Sequence, residues 1–280
     1  MEAGTKLSPK EVGISAGDLI QKHFDLPPLF LGRWLFGGAL AMVYASAGTG
    51  KTFFSLAIAY AVAAGNSEFL GWRSRRPRKV IYFDSEMGQR LIQDRFRKIA
   101  ESNEQDADAD SIKFVTLEDT GGTIWNLASP VDQMKYTEAC EGFDLIIIDN
   151  LSGCVRPERK ETEFDTWPRA QDWLLKMRAK NKAVLVIHHA GKNGSQRGPS
   201  ARKDALDFCI ELRQPLGHKQ EQGLKFELRF EKCRHYIGDE ARALEVTLTD
   251  FDQERLRWIS DPLIEAVETR RRAERDIFER

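Results

Sequence analysis

The chain has 280 residues, 41% of them hydrophobic and 30% charged, with a formal net charge of −1. That length and apolar content support one α/β domain with additions, or two small domains, and exclude general disorder, while the near-neutral charge leaves nucleic-acid contact to local basic patches. The four cysteines, Cys140, Cys154, Cys209 and Cys233, form no CxxC pair or zinc-type spacing, no apolar run reaches a membrane span, and Met1–Gly17 is polar without a signal-peptide core, so reduced thiols and a cytoplasmic location with no membrane partner are expected.

Residues 1–26 read as an arm with one short helix near Ala16–Phe24, broken by Pro27-Pro28. Ala39–Tyr44 is a short apolar run behind two glycines, the pattern of a buried strand. A helix over Lys51–Ala64 follows, then a strand over Lys79–Asp84. Leu91, Ile92, Phe96 and Ile99 have helical spacing over Leu91–Ser102, and 103–111 is an acidic loop. A strand over Ile112–Leu117 and a helix over Val131–Cys140 come next. Asp144–Ile148 is apolar after its first residue and closes on Asp149. A helix over Phe164–Ala179 leads to a buried strand over Ala183–Ile187. The last strand candidates are Phe208–Arg213, Lys225–Lys232 and Leu244–Thr249, and from Trp258 onward the pattern reads as a charged helix.

The early strands alternate with helices and are apolar throughout. Such strands are covered on both faces, so the fold class is α/β, a mainly parallel sheet with helices on both faces. The last three strands follow one another without helices and suit an antiparallel extension at the C-terminal edge. The expected organisation is an N-terminal arm over 1–26, one domain over 27–260 and a charged helix or tail over 261–280, with no internal repeat.

Between the first buried strand and its helix stand Ala45, Ser46, Ala47, Gly48, Thr49, Gly50, Lys51 and Thr52, followed by Phe53. This fits G-x-x-x-x-G-K-[ST] except that Ala45 replaces the first glycine. Gly48 and Gly50 let backbone N–H groups close around a phosphate, and the helix N-terminus adds positive partial charge. Lys51 reaches toward β- and γ-phosphates and the Thr52 hydroxyl suits magnesium. The expected ligands are therefore ATP and Mg2+.

Asp149, at the carboxyl end of an apolar strand, stands where open α/β sheets bind ligands, and its expected role is to hold magnesium through water. Hydrolysis needs a group that orients or deprotonates water. Glu86 follows the second strand and Asp84, two residues earlier, ends it; alternation turns both to the same side, so spacing alone does not choose between them. His188 and His189 likewise end one strand together.

In order, Ala45–Thr52, Glu86, Asp149 and the His-His-Ala-Gly-Lys run at 188–192, with Trp34-Leu-Phe-Gly-Gly38 ahead of them, resemble the RecA-like P-loop ATPases of the KaiC/DnaB group. Within that group the resemblance is strongest to plasmid RepA-type hexameric replicative helicases, and it spans about residues 27–250. It implies a RecA-like ATPase core, a homo-oligomer in the form of a hexameric ring, and ATP hydrolysis between subunits. It also implies Glu86 as the water-activating group, Asp149 as the metal support and His189 as the γ-phosphate sensor, with Lys192 three residues on. Phe230–His235 resembles a late strand ending in Lys-x-Arg, so Lys232 and Arg234 would act in trans, Arg234 as the finger.

The glycine-rich loop at 190–204 carries Lys192, Arg197, Arg202 and Lys203, and in RecA-like rings the equivalent loop faces the channel. Those cations would track single-stranded DNA. The basic stretch Arg73–Lys79 reads as a solvated loop, with a subunit or DNA contact left open. The resemblance thus implies a single-stranded-DNA motor of the replicative-helicase type. The alternative is a regulatory or signalling ATPase of the same fold that assembles with ATP and acts on a replication or regulatory protein. A monomeric nucleotide-binding module or small-molecule kinase is a third reading.

Overall fold

The computed structural model describes residues 12–157, 163–190, 203–219, 223–234, 238, 241–250 and 255–263. The chain enters through α1 (Ala16–Gln21), capped by Ser15 Oγ, which accepts from Asp18 N at 3.1 Å; none of its residues is buried. A small antiparallel hairpin, β1 (Leu29–Leu31) and β2 (Leu35–Phe36), tucks Trp34 into the core. Then come β3 (Leu40–Ala45), α2 (Lys51–Ala64), a second hairpin of β4 (Ser67–Phe69) and β5 (Trp72–Ser74), β6 (Val80–Asp84), α3 (Gln89–Glu101) and β7 (Ile112–Val115). The chain continues with α4 (Pro130–Ala139), β8 (Leu145–Asp149), α5 (Leu151–Cys154), α6 (Glu163–Ala179), β9 (Ala183–His189), β10 (Phe208–Arg213), β11 (Leu224–Cys233), β12 (Leu244–Asp250) and β13 (Leu256–Pro262).

Nine strands form one sheet in the order β13-β12-β11-β10-β3-β9-β8-β6-β7. From β7 to β10 the neighbours run parallel, and β10-β11, β11-β12 and β12-β13 pair antiparallel. β10 is therefore the joint: it continues the parallel ladder beside β3 while opening the antiparallel extension.

Two cores lie on the two faces. Ala41, Val43, Tyr82, Leu145, Ile147 and Ile187 face α2, while Met42, Ile81, Phe83, Ile148 and Val186 face Tyr136 of α4 and Trp173 of α6. The extension curls over α2 and adds Phe226, Leu228, Val246 and Leu248 to the first core. Helix α2 is consequently buried almost all round, which suits its Ala- and Val-rich sequence.

One expectation is corrected. Leu256–Pro262 is a strand, not the start of a charged helix. Leu256 and Trp258 alternate inward, and the Trp258 ring meets Phe69 at 5.2 Å and Phe226 at 6.4 Å between centroids. The charged run beyond drew the helical reading; residues 264–280 lie outside the described residues. The short hairpins and the four-residue α5 were also missed, being too brief to show a period.

The parallel register brings four strand ends together: Asp84 is level with Asp149, Asp149 with Ile187, and Ala45 with His189. Among the described residues no helix is long and apolar enough to cross a membrane.

Candidate active site

Strand β3 delivers the glycine-bearing turn into the N-terminus of α2. Gly48 (φ 78°) and Gly50 (φ 102°) both adopt left-handed backbone, which strains any residue with a Cβ. A Cβ on Gly50 would in addition collide with the Leu224 side chain at the start of β11. Ala45 needs no such freedom. It is the last residue of β3, and its carbonyl accepts from Ala190 N at 2.8 Å. A strand position tolerates alanine, which explains the departure from the usual first glycine.

The Lys51 Nζ donates to the carbonyls of Ala45 at 3.1 Å and Ser46 at 2.9 Å, so the ammonium lies across the mouth of the turn. Burial lowers its pKa, opposed by the nearby Asp149 and Glu86 carboxylates. The Thr49 hydroxyl donates to Ser46 O at 3.0 Å and braces the turn.

Asp149 is 3% exposed. Its Oδ2 accepts from the Tyr82 hydroxyl at 2.7 Å, and the Thr52 hydroxyl donates to the same carboxylate. Burial raises its pKa. The Tyr82 and Thr52 hydrogen bonds work against that, while Asp84 and Glu86 add like charge. Tyr82, itself 2.8 Å from Ser55 Oγ, was not singled out in the sequence. Its position two residues before Asp84 on the same strand face was the available signal.

The two acids at the end of β6, Asp84 within it and Glu86 just beyond, have different surroundings. Asp84 is buried, and its Oδ2 accepts from Met87 N at 2.9 Å and Gly88 N at 2.8 Å, holding the turn that leads into α3. Burial raises its pKa, against those backbone bonds. The Glu86 side chain is half exposed, with Oε1 3.0 Å from His189 Nε2.

The two histidines also part. His188 is buried with Nδ1 3.4 Å from Ser152 Oγ. His189 faces Glu86 and also lies 3.1 Å from Asn150 Nδ2. Asn150 caps α5, and the Asp149–Asn150 peptide is cis.

These residues fit a nucleotide with magnesium. The left-handed glycines keep side chains out of a phosphate-sized turn, and Lys51 supplies the charge. The Thr52 hydroxyl and Asp149 carboxylate are the hard oxygen donors that magnesium takes, few enough to leave positions for water and phosphate. Among the described residues no group of three or more His, Cys, Asp or Glu is set to hold a metal ion, so no competing metal centre appears there.

The sequence matches the AAA_25 family model, an AAA domain, over residues 11–195, more than half of the chain. The chain belongs to the AAA_25 family. No curated protein sequence matches it. Among solved structures, the RadB recombinase superposes with a TM-score of 0.54 at 15% identity, covering 77% of this chain and 89% of that one. A KaiC-like protein from the hyperthermophilic archaeon Pyrococcus horikoshii OT3 gives 0.53 at 14%, covering 80% and 91%. The flagellar accessory protein FlaH from Methanocaldococcus jannaschii gives 0.51 at 14%, covering 76% and 86%. At such identities these likenesses speak for the fold, and the fold is that of a RecA-like P-loop ATPase.

In this AAA_25 protein, Lys232 and Arg234 come at the end of β11, two strands across from β3 and outside the chain's own phosphate turn. Lys232 is level with Cys209, which pairs with Met42, and Arg234 N donates to Asp207 O at 2.9 Å. Both cations thus stand toward the edge of the sheet where β3 begins, not where it ends. Lys232 Nζ donates to the carbonyls of Lys203 and Asp204, and Arg234 donates to Asp204 O at 2.8 Å. Lys203 forms a close ion pair with Glu231 and lies 5.2 Å from the Tyr44 ring centroid. Lys192, Arg197 and Arg202 lie outside the described residues. In the basic stretch, Arg73 and Ser74 belong to β5, and the Arg78 guanidinium lies 5.2 Å from the Phe30 ring centroid. None of the four cysteines forms a disulfide; burial pushes Cys140 and Cys209 up to about 12 and Cys154 up to about 11, which disfavours their thiolates.

Proposed function

We propose that this RecA-like ATPase hydrolyses ATP with magnesium between subunits of a cytoplasmic homo-oligomeric ring, hexameric in form, and acts as a motor on single-stranded DNA of the replicative-helicase type. The observation that carries the ring is the position of Lys232 and Arg234. They stand away from the chain's own phosphate turn, as expected of cations that complete a neighbour's site.

In this reading Ala45–Phe53 hold the nucleotide, Lys51 offsets the charge on its phosphates, and Thr52 with Asp149 hold magnesium, Asp149 through water. Magnesium, when bound, adds positive charge beside the phosphate oxygens. Glu86 orients the attacking water and takes its proton. His189 senses the γ-phosphate, and Arg234 with Lys232 of one subunit offsets charge at the next subunit's site. The functional core is residues 27–260, with 1–26 an arm and 261–280 a charged tail. DNA would be tracked by Lys192, Arg197, Arg202 and Lys203, and the RepA-type resemblance supports that motor role.

The Lys203–Glu231 ion pair favours a second reading, because it already occupies one of those four cations. In that reading the ring acts on a replication or regulatory protein instead. The test is the ATPase rate per chain against protein concentration, with and without single-stranded DNA. A rate that rises with concentration and again with DNA supports the motor. A rise with concentration alone supports the regulatory ring, and a rate independent of both overturns the ring.

A further inference from the structure

Asn150 is held from three sides. Its backbone N donates to Ser85 Oγ at 2.9 Å, and Ser85 Oγ in turn donates to Asn150 O at 3.3 Å. Its side-chain Oδ1 accepts from Gly153 N at 2.9 Å as the N-cap of α5, and the residue is 2% exposed. With the amide oxygen committed to the cap, the amide NH2 must point the other way, where it meets His189 Nε2 at 3.1 Å. Glu86 Oε1 meets the same ring nitrogen at 3.0 Å.

These two contacts cannot both be hydrogen bonds at one time. An amide NH2 only donates and a carboxylate only accepts, while a neutral imidazole nitrogen does one or the other. If Nε2 is bare, it accepts from Asn150, and Glu86 is released. If Nε2 carries a proton, it donates to Glu86, and the Asn150 N–H faces another donor. Asn150 cannot turn over to relieve that conflict without giving up the cap of α5. A buried donor facing a donor is costly.

We propose that Asn150 is a positioning residue that sets the proton on His189. Its fixed NH2 keeps Nε2 bare and the proton on Nδ1, and the Glu86 carboxylate stays free to meet water. The step moves one proton between ring nitrogens through solvent and needs no further reactant. The inference rests on the reading of Glu86 as the water-orienting base, and its first readout is independent of that reading.

The experiment uses Asn150→Ser on the full chain. Serine is a strong N-cap, so it can still accept from Gly153 N while lacking the NH2. Nitrogen NMR of histidine-labelled, nucleotide-free protein reports the tautomer of His189. The expected result is a bare Nε2 in the wild type and a protonated Nε2 in Asn150→Ser. The same tautomer in both overturns the proposal. Asn150→Asp serves as the second variant: it keeps the cap, presents an acceptor to the ring, and should shift the proton in the same direction.

The kinetic readout separates positioning from mere structure. Asn150→Ser should lower kcat about tenfold, the scale of one misplaced hydrogen bond, with nucleotide Kd within about twofold. In a His189→Ala background the same substitution should cost nothing further, and an equal loss in both backgrounds overturns the coupling. If Glu86→Gln retained full turnover while the tautomer still shifted, the base assignment would fail and the role of Asn150 toward His189 would stand.

Discussion

Strands β8 and β11 belong to one sheet yet obey different rules. β8, Leu145-Ile-Ile-Ile-Asp149, is buried at every position, whereas in β11 Phe226 and Leu228 are buried and the intervening Glu227 and Arg229 are not. The cause is cover. The parallel half has α2 on one face and α4 and α6 on the other, while the extension is covered on one face, by α2 and aromatic rings of the two hairpins. Side chains of doubly covered strands leave the apolar interior only at the strand ends, so the chemistry collects there, at Asp84, Asp149 and His189. The singly covered strands contribute from the side, with Leu224 behind Gly50 and the cations Lys232 and Arg234.

The largest effects are expected at the strand ends. Lys51→Ala should cut turnover by about 10²–10³-fold or more and abolish tight nucleotide binding, read by nucleotide titration and ATPase rate with circular dichroism as the folding check. Wild-type affinity in that variant would sink the reading of the turn as a phosphate site. Glu86→Gln should cut turnover by about 10²-fold and leave nucleotide Kd within a few-fold, because it removes a base and not a binding group. A large change in Kd with unchanged kcat would assign Glu86 to binding instead.

The next effects lie in the two kinds of strand. Ile146→Ala and Ile147→Ala point to opposite faces of β8, and each should cost about 2–5 kcal/mol in urea unfolding. In the extension, Leu228→Ala should cost a similar amount, while the outward Thr247→Ala should stay within about 0.5 kcal/mol. A tolerant face in β8 would contradict the double cover. A smaller loss than in the two cores is expected at the junction of the two halves. Gly50→Ala should cost about 1–2 kcal/mol from left-handed backbone, plus a part from the Leu224 collision that Leu224→Ala removes. If Leu224→Ala brought no relief, the extension would not bear on the turn as described.

Much of this was legible because burial on both faces writes itself as an uninterrupted apolar run. Ala39–Tyr44, Lys79–Asp84, Asp144–Ile148 and Ala183–Ile187 were readable as strands for that reason, and the helix over Lys51–Ala64 has the expected bounds. The phosphate turn was readable because few residue types permit its backbone. Trp258 was misread because two inward side chains precede a long charged run, and short alternation is a weak signal beside it. The two hairpins were missed for want of length.

By itself the sequence determined the element types of the parallel half, the glycine-bearing turn and the acids that end its strands, since these depend on local backbone preference and on apolar pattern. Only the tertiary structure decided that β10 runs parallel to β3, that Asp84 braces a turn while Glu86 meets His189, and that Asn150 reaches the same ring nitrogen. The pairing of β10 with β3 and the meeting of Glu86, His189 and Asn150 join residues remote in the chain, and such partners are chosen by how strands stack side by side, which no local pattern encodes.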